Sequence, residues 1–268
     1  MYKTHMQDES LYITHKLQPL HVELLLMHFQ DVHHWNIPDL RAPYWRLYHN
    51  TTAGAEVLCH GVRTVLKPDS IYIIPCELPF AAKAHKPFRQ MYIHFLLHAQ
   101  PQLICEPQLY RFKIDAEIQQ WLCPLEQNQP TLAHATQLAA TALVSATLAR
   151  LPLVPSPETA LSPRLHRAMQ RITQSVGVGI SNDELARVAA MNTNAFIRAF
   201  REATGKTPQV CLTEARIREA CLRLHHSHDS IDTIAADCGY CDRYHFTRVF
   251  KQYRGLPPAI FRQQAIGH

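Results

Sequence analysis

The stretch SIDTIAADCGYCDRYHFTRVFKQYRGLPPAIFR, Ser230–Arg262, decides the reading of the back half of this chain. Ser230 is a helix-capping residue type ahead of a short helical run, Ile231–Cys238. Gly239 follows where a turn needs positive φ. A second helix is expected over Asp242–Tyr253, with Phe246 and Phe250 four residues apart on one buried face. Arg243, Tyr244, Thr247 and Arg248 then lie around the outer side. Two short helices across a tight turn make a helix-turn-helix unit.

The same pattern stands earlier in the chain. Ser181, Leu185 and Ala186 recur 49 residues later as Ser230, Ile234 and Ala235. Phe196, Arg198, Phe200, Gly205 and Pro208 recur 50 residues later as Phe246, Arg248, Phe250, Gly255 and Pro258. One extra residue has therefore entered the second copy, in its turn. In the first copy Ser181 and Glu184 form a capping-box pair ahead of Asn182–Ala190. A turn at Met191–Asn192 leads to a helix ending near Ala203. Phe196 and Phe200 point inward there, leaving Asn194, Ile197, Arg198 and Arg201 outside. Thr207–Pro208 starts a connecting helix that runs to about Leu224. One helix-turn-helix match is a weak signal; two in tandem with matched residues are a strong one.

Charge agrees with this division. Residues 161–268 carry 15 Lys and Arg against 9 Asp and Glu, whereas residues 1–160 carry 12 against 13. The basic half is the one suited to a polyanion. Upstream of it, Pro152, Pro155, Pro157 and Pro163 mark a proline-stiffened linker, 152–163. Domains are expected at 1–151 and 164–268.

The front half alternates short aromatic and β-branched stretches, Tyr44–Asn50, Ala55–Cys59, Ser70–Ile74 and Phe88–Leu97, with turn residues. That rhythm predicts a β-barrel or sandwich. Helices follow at Asp115–Gln127, interrupted by Pro124, and at Thr131–Leu151. Ala135, Ala139, Ala142, Ala146 and Ala149 form a small-residue stripe on the second helix, a seam either against the β-domain or against a second copy. If the sheet binds a small molecule, Tyr44, Arg46 and Tyr48 share one strand face, as do Tyr92 and His94. Aromatic plates with isolated polar groups suit a sugar or another polar metabolite. The opposite register would place Trp45 and Leu47 inside instead.

Over Ile180–Arg262 the chain resembles the AraC/XylS family of bacterial transcription regulators, most specifically at Ile231, Ile234, Ala235, Gly239, Tyr240, Phe246, Arg248, Phe250, Lys251, Gly255, Pro258, Phe261 and Arg262. Arg216, Ile217, Ala220 and Leu224 are similar to that family's linker helix. The resemblance implies an α+β protein, with an N-terminal cupin-like β-barrel and dimerisation helices before an all-α tandem helix-turn-helix domain. It implies two recognition helices in successive major-groove segments, with Arg198 and Arg248 reaching guanine and Asn194, Ile197, Arg201, Arg243, Tyr244 and Thr247 beside them. Ser181, Lys206 and Thr207, at or beside helix N-termini, are the expected phosphate contacts. Partners implied are double-stranded promoter DNA, a small-molecule effector, a second copy of the chain, and RNA polymerase as for an activator. Three positions depart from the pattern: Ala190 in place of a turn Gly, Arg223 in a run that is usually Leu, and Phe80 where the barrel often has His.

Other chemistries fare less well. Cys238-x-x-Cys241 with His245 is half a zinc site, and a buried thiol explains Cys238 more simply. His225, His226 and His228 would complete that site only if the chain folded back. His33 and His34 are adjacent and would face opposite sides of a strand. No nucleophile–base set or phosphate loop is placeable, so no catalytic residues, metal or cofactor are expected. The apolar runs are too short for a membrane span and no leader is visible, so a cytoplasmic protein is expected. The rival readings are a cupin-type enzyme with a nucleic-acid-binding tail and a thiol-based redox sensor on the same scaffold.

Overall fold

The computed structural model describes residues 20–99, 103–127, 134–155 and 161–266. Its first part is built from β1 (Leu20–Val32), β2 (Asn36–Leu40), β3 (Trp45–Asn50), β4 (Ala55–Cys59), β5 (Val62–Val65), β6 (Ser70–Ile74), β7 (Phe80–Ala84), β8 (Phe88–Ala99), β9 (Leu103–Ile104) and β10 (Tyr110–Lys113). Helices α1 (Ala116–Gln127) and α2 (His134–Leu148) and the short strand β11 (Val154–Pro155) complete it. The helical part holds α3 (Pro163–Gln174), α4 (Asn182–Val188), α5 (Thr193–Thr204), α6 (Pro208–His226), α7 (Ile231–Asp237), α8 (Arg243–Arg254) and α9 (Pro258–Ile266).

Nine of the strands form two open antiparallel sheets, ordered β1-β8-β3-β6-β10 and β2-β7-β4-β5, and β9 pairs with β11 apart from them. Among the described residues no ladder joins one sheet to the other, so the expected cupin-like barrel is not closed; the architecture is a sandwich. Strand rhythm cannot distinguish the two, because closure depends on which edges meet and not on where turns fall. Strand β1, unforeseen in the sequence, pairs along its length with β8 and is bulged between Leu24 and Leu26.

Alternation along the five-stranded sheet divides its side chains between two cores. Trp45, Leu47, Ile71, Ile73, Ile93 and Phe95 face α1 and α2. Tyr44, Tyr48, Tyr72, Ile74 and Tyr92 face the smaller sheet, whose Ile37, Val57, Phe80 and Ala82 meet them. The helix α2 turns Leu143, Val144 and Leu148 onto the sheet, and Arg150 at its end pairs with Asp115 (2.8 Å) and Glu117 (2.7 Å) at the start of α1. Its alanine stripe is split. Ala139 is buried, but Ala135 and Ala149 are exposed and Leu138 beside them is 69% exposed. The face that packs on the sheet is therefore rotated from the one the alanines marked, since the larger residues at 143, 144 and 148 bury more apolar area. Residues 131–133 of the expected helix lie outside the described residues.

The expected linker is partly tied down. Val154 and Pro155 pair with Ile104 and Leu103, and Leu151 sits in the helix-facing core; residues 156–160 lie outside the described residues. Beyond, α3, α4 and α5 enclose one small core with Leu165, Leu185, Phe196 and Phe200, joined by Cys211 and Leu212 from the first turns of α6. The last turns of α6 (Ile217, Ala220, Cys221, Leu224) belong to a second core with Ile234, Phe246, Phe250 and Phe261. That second core is continuous with the inter-sheet core of the sandwich. The connector helix therefore spans both repeats, and the second repeat is fused to the sheet domain.

Candidate functional site

The two repeats are built alike by their caps. Ser181 and Glu184 make a full capping box at α4, and Asn192 caps α5 through the Ala195 N–H (2.8 Å). Ser230 caps α7, and Asp242 caps α8 through the His245 N–H (2.7 Å). Gly205 and Gly255 end α5 and α8 in the left-handed conformation, φ 72° and 81°. The turns differ. Gly239 has φ 76°, and its counterpart Ala190 is forced to φ 52°. Gly239 is also sterically required, because a Cβ there would lie 2.8 Å from the Val176 carbonyl oxygen.

With Phe196, Phe200, Phe246 and Phe250 wholly buried, the opposite faces of α5 and α8 are left to solvent. Asn194, Ile197, Arg198 and Arg201 line one open concavity on α5 together with Glu202. On α8, Arg243 and Arg248 are exposed, Tyr244 is 87% exposed and Thr247 is partly covered. Arg198 and Arg248 make no ion pair among the described residues, whereas Arg243 is held by Asp232 at 3.2 Å. The three expected phosphate contacts are already engaged. The Ser181 hydroxyl bonds Glu184 (2.7 Å), Thr207 caps α6 through the Val210 N–H, and Lys206 pairs with Glu214 (2.9 Å).

The second candidate site is a buried aromatic cluster around one arginine. Residues Tyr44, Arg46, Tyr48, Tyr92 and His94 all face the inter-sheet side, with Arg46 opposite His94 and Tyr48 opposite Tyr92 across β3 and β8. Trp45 and Leu47 take the other face, which settles the register. Arg46 is 1% exposed, and among the described residues its two terminal nitrogens meet no acceptor in full hydrogen-bond geometry, the Tyr44 hydroxyl being the polar group that acts on it. What it faces are rings: its Cζ is 4.4 Å from the Tyr44 centroid and 5.2 Å from that of Phe80. A desolvated cation–π contact supplies about 2 kcal/mol. Burying a charge costs several kcal/mol even after relaxation. The rings offset part of the cost only.

Helix α6 closes this cluster from the helical side, which the sequence did not foretell. The Tyr44 hydroxyl donates to His225 Nδ1, whose Nε2–H donates to the Phe261 carbonyl (2.9 Å). The His226 Nδ1–H donates to the Leu222 carbonyl (2.9 Å), leaving Nε2 to accept from His94 Nδ1 (3.1 Å). These partners assign both tautomers. Burial, with the Arg46 charge nearby, pushes His225 well below the usual imidazole range and His226 down to about 4. Below the cluster, Arg254 of α8 grips Glu77 with two bonds (2.6 and 3.1 Å), and Arg41 adds a third at 2.9 Å. Burial raises Glu77, but the two guanidinium groups outweigh it and hold the carboxyl below its ordinary value. The only hint in the sequence was the unused His pair at the end of the connector.

Cys238 lies in the second core with its thiol pushed up to about 12 by burial, while Cys241 is exposed. His225 and His226 are engaged with the sheet domain and do not meet this pair. Arg223, the departure from a leucine run, bridges Asp229 (2.7 Å) and Asp237 (2.6 Å). Among the described residues no helix is long and apolar enough to cross a membrane.

Comparison with known proteins gives the helical part its relatives. Residues 185–264 match the family described as "Helix-turn-helix domain". The transcriptional activator RhaS of Escherichia fergusonii is 31% identical over 100 residues, 37% of this chain and 36% of that protein. The transcriptional activator NphR of a Rhodococcus species is 24% identical over 233 residues, 80% of this chain and 68% of that protein. The chain spans about a third of the length of the first curated relatives it matches. Among solved structures, ToxT of Vibrio cholerae with an unsaturated fatty acid bound is similar in fold across the molecule. It has TM-score 0.56 at 9% identity, covering 91% of this chain and 97% of that one.

Proposed function

Because its C-terminal domain is a helix-turn-helix domain of the AraC family, we propose that this chain is a promoter-binding transcription regulator whose sheet domain receives a small-molecule effector. The observation that carries the DNA reading is the pair of unengaged arginines, Arg198 and Arg248. They stand at equivalent positions on the outer faces of two helices that one connector holds. A guanidinium fork in that position matches guanine O6 and N7. Asn194, Ile197, Arg201, Tyr244 and Thr247 stand beside them as further base contacts, with Arg243 in a lesser role because Asp232 holds it. Phosphate contacts at Ser181, Lys206 and Thr207 would have to displace bonds these groups already make, the Ser181 and Lys206 N–H bonds to Glu184 and Thr204 included. The proposed effector site is Tyr44, Arg46, Tyr48, Tyr92 and His94, where a bound molecule would lie against the end of α6. The exposed face of α2 is the proposed contact for a second copy.

The test is binding of the full chain to DNA selected from a random duplex pool. Enrichment of a sequence with two half-sites about one helical turn apart, with affinity falling steeply as salt rises, is expected. Failure to enrich any sequence at low salt would overturn the assignment.

A further inference from the structure

We infer that the effector of the sheet domain carries a carboxylate on an apolar body, and that Arg46 is its anchor. The inference rests on the effector-site reading above and narrows it, replacing a neutral polar metabolite with an organic anion. A guanidinium stays charged at any physiological pH, so its burial demands an acceptor. Arg46 is buried, its two terminal nitrogens meet no acceptor in full hydrogen-bond geometry among the described residues, and it takes part in none of their ion pairs. Three titratable groups beside it are uncharged. Tyr44 is held in its protonated form by burial, and His225 and His226 are held neutral. Arg46 is thus one fixed positive charge with no ion-pair partner among the described residues. A carboxylate supplies the missing charge and matches the fork with two parallel bonds. The groups packed around it are largely aromatic, from Tyr44, Tyr92 and Phe80, which suits a flat or aliphatic body.

Position makes this a regulatory site. Arg46 sits opposite His94, and His94 is bonded to His226 on the last turn of α6, the helix that carries both repeats. A carboxylate on Arg46 is in contact range of the element that sets their placement, and it shifts DNA affinity if it favours one placement over the other.

The experiment uses the full chain and matched probes: benzoate against benzamide, octanoate against octanamide, and glucose as a neutral sugar. At least one carboxylate is expected to raise the melting temperature saturably while its amide does not; the aromatic and aliphatic arms separate the two kinds of body. Arg46→Met is expected to weaken that response roughly 10- to 100-fold, the loss of one charge-assisted pair. The same variant is expected to melt at or above the wild-type temperature without ligand, because an unmatched buried charge has gone. Equal stabilisation by amides or glucose, or an undiminished response in Arg46→Met, would overturn the anchor while leaving the effector site standing. No response of the wild type to either carboxylate would also overturn it. A clear fall in the melting temperature of ligand-free Arg46→Met would show that the chain itself satisfies the charge. None of these outcomes touches DNA selection, which tests the regulator assignment separately.

Discussion

At the scale of single residues, the two turns form a natural experiment. Ala190 and Gly239 occupy the same place in the two repeats, both at positive φ. An L-residue pays about 1–2 kcal/mol in that region, of which Gly's extra unfolded-state freedom cancels part. Ala190 is exposed, so Ala190→Gly loses no packing and is expected to stabilise the chain by about 0.5–1 kcal/mol, read as a rise in denaturation midpoint. Gly239→Ala is expected to destabilise by more than that, since its Cβ would meet the Val176 carbonyl oxygen and the Arg216 guanidinium. If both substitutions destabilise, strain at positive φ does not govern the turns. For the outward arginines the readout is specificity. Arg198→Ala and Arg248→Ala are each expected to cost about 1–3 kcal/mol on the selected sequence, relaxing preference at different base pairs. Equal losses on random DNA would reduce both to phosphate contacts.

At the scale of elements, α2 and α6 carry the consequences. The sheet-facing side of α2 is spoken for by its own core, which leaves Leu138 with Ala142 and Ala146 as the face proposed to meet a second copy. Leu138→Glu together with Ala142→Glu is expected to convert a dimer to monomer in sedimentation, with little change in melting temperature, since charge on that face meets solvent in the monomer. A wild-type monomer at micromolar concentration would refute the interface. For α6 the handle is pH. Its two terminal histidines have folded pKa values below the ordinary 6.5, so the separated state binds the protons more readily. Stability of the contact is full above that value and is lost as pH falls through it toward about 4. Arg46, His226 and Arg254 act in the same direction on His225, and the Phe261 carbonyl opposes them. The full chain is expected to melt at lower temperature at pH 5 than at pH 7.5, and His225→Gln with His226→Gln to flatten part of that difference.

At the scale of the whole molecule, the division into a sheet part and a helical part is not a division into two cores. The second repeat shares its core with the sandwich, while the first keeps its own. The Arg254–Glu77 pair fastens the same junction. Glu77→Gln is expected to leave Arg254, 7% exposed, without its counter-charge. The expected result in calorimetry is a separation of the second repeat's unfolding from that of the sheet domain. A single unchanged transition would show that the junction contributes little.

The tandem repeat was legible in the sequence because its signals are local. Caps, the paired phenylalanines and the turn residues each act within four or five positions, so Ser181, Phe196, Gly239 and Phe250 lie where their spacing put them. The shared face of Tyr44, Arg46 and Tyr48 was legible for the same reason, as strand alternation has period two. Closure of the sheets was not, nor was the face α2 would bury, because both depend on which distant surfaces meet. The same holds for the junction. Nothing near Arg46 in the chain announces His226, 180 residues away, and nothing near Glu77 announces Arg254. Short-range propensity determined what the pieces are; only long-range packing, where burial and charge compensation are decided, determined that the end of the connector helix rests on a buried, unmatched arginine.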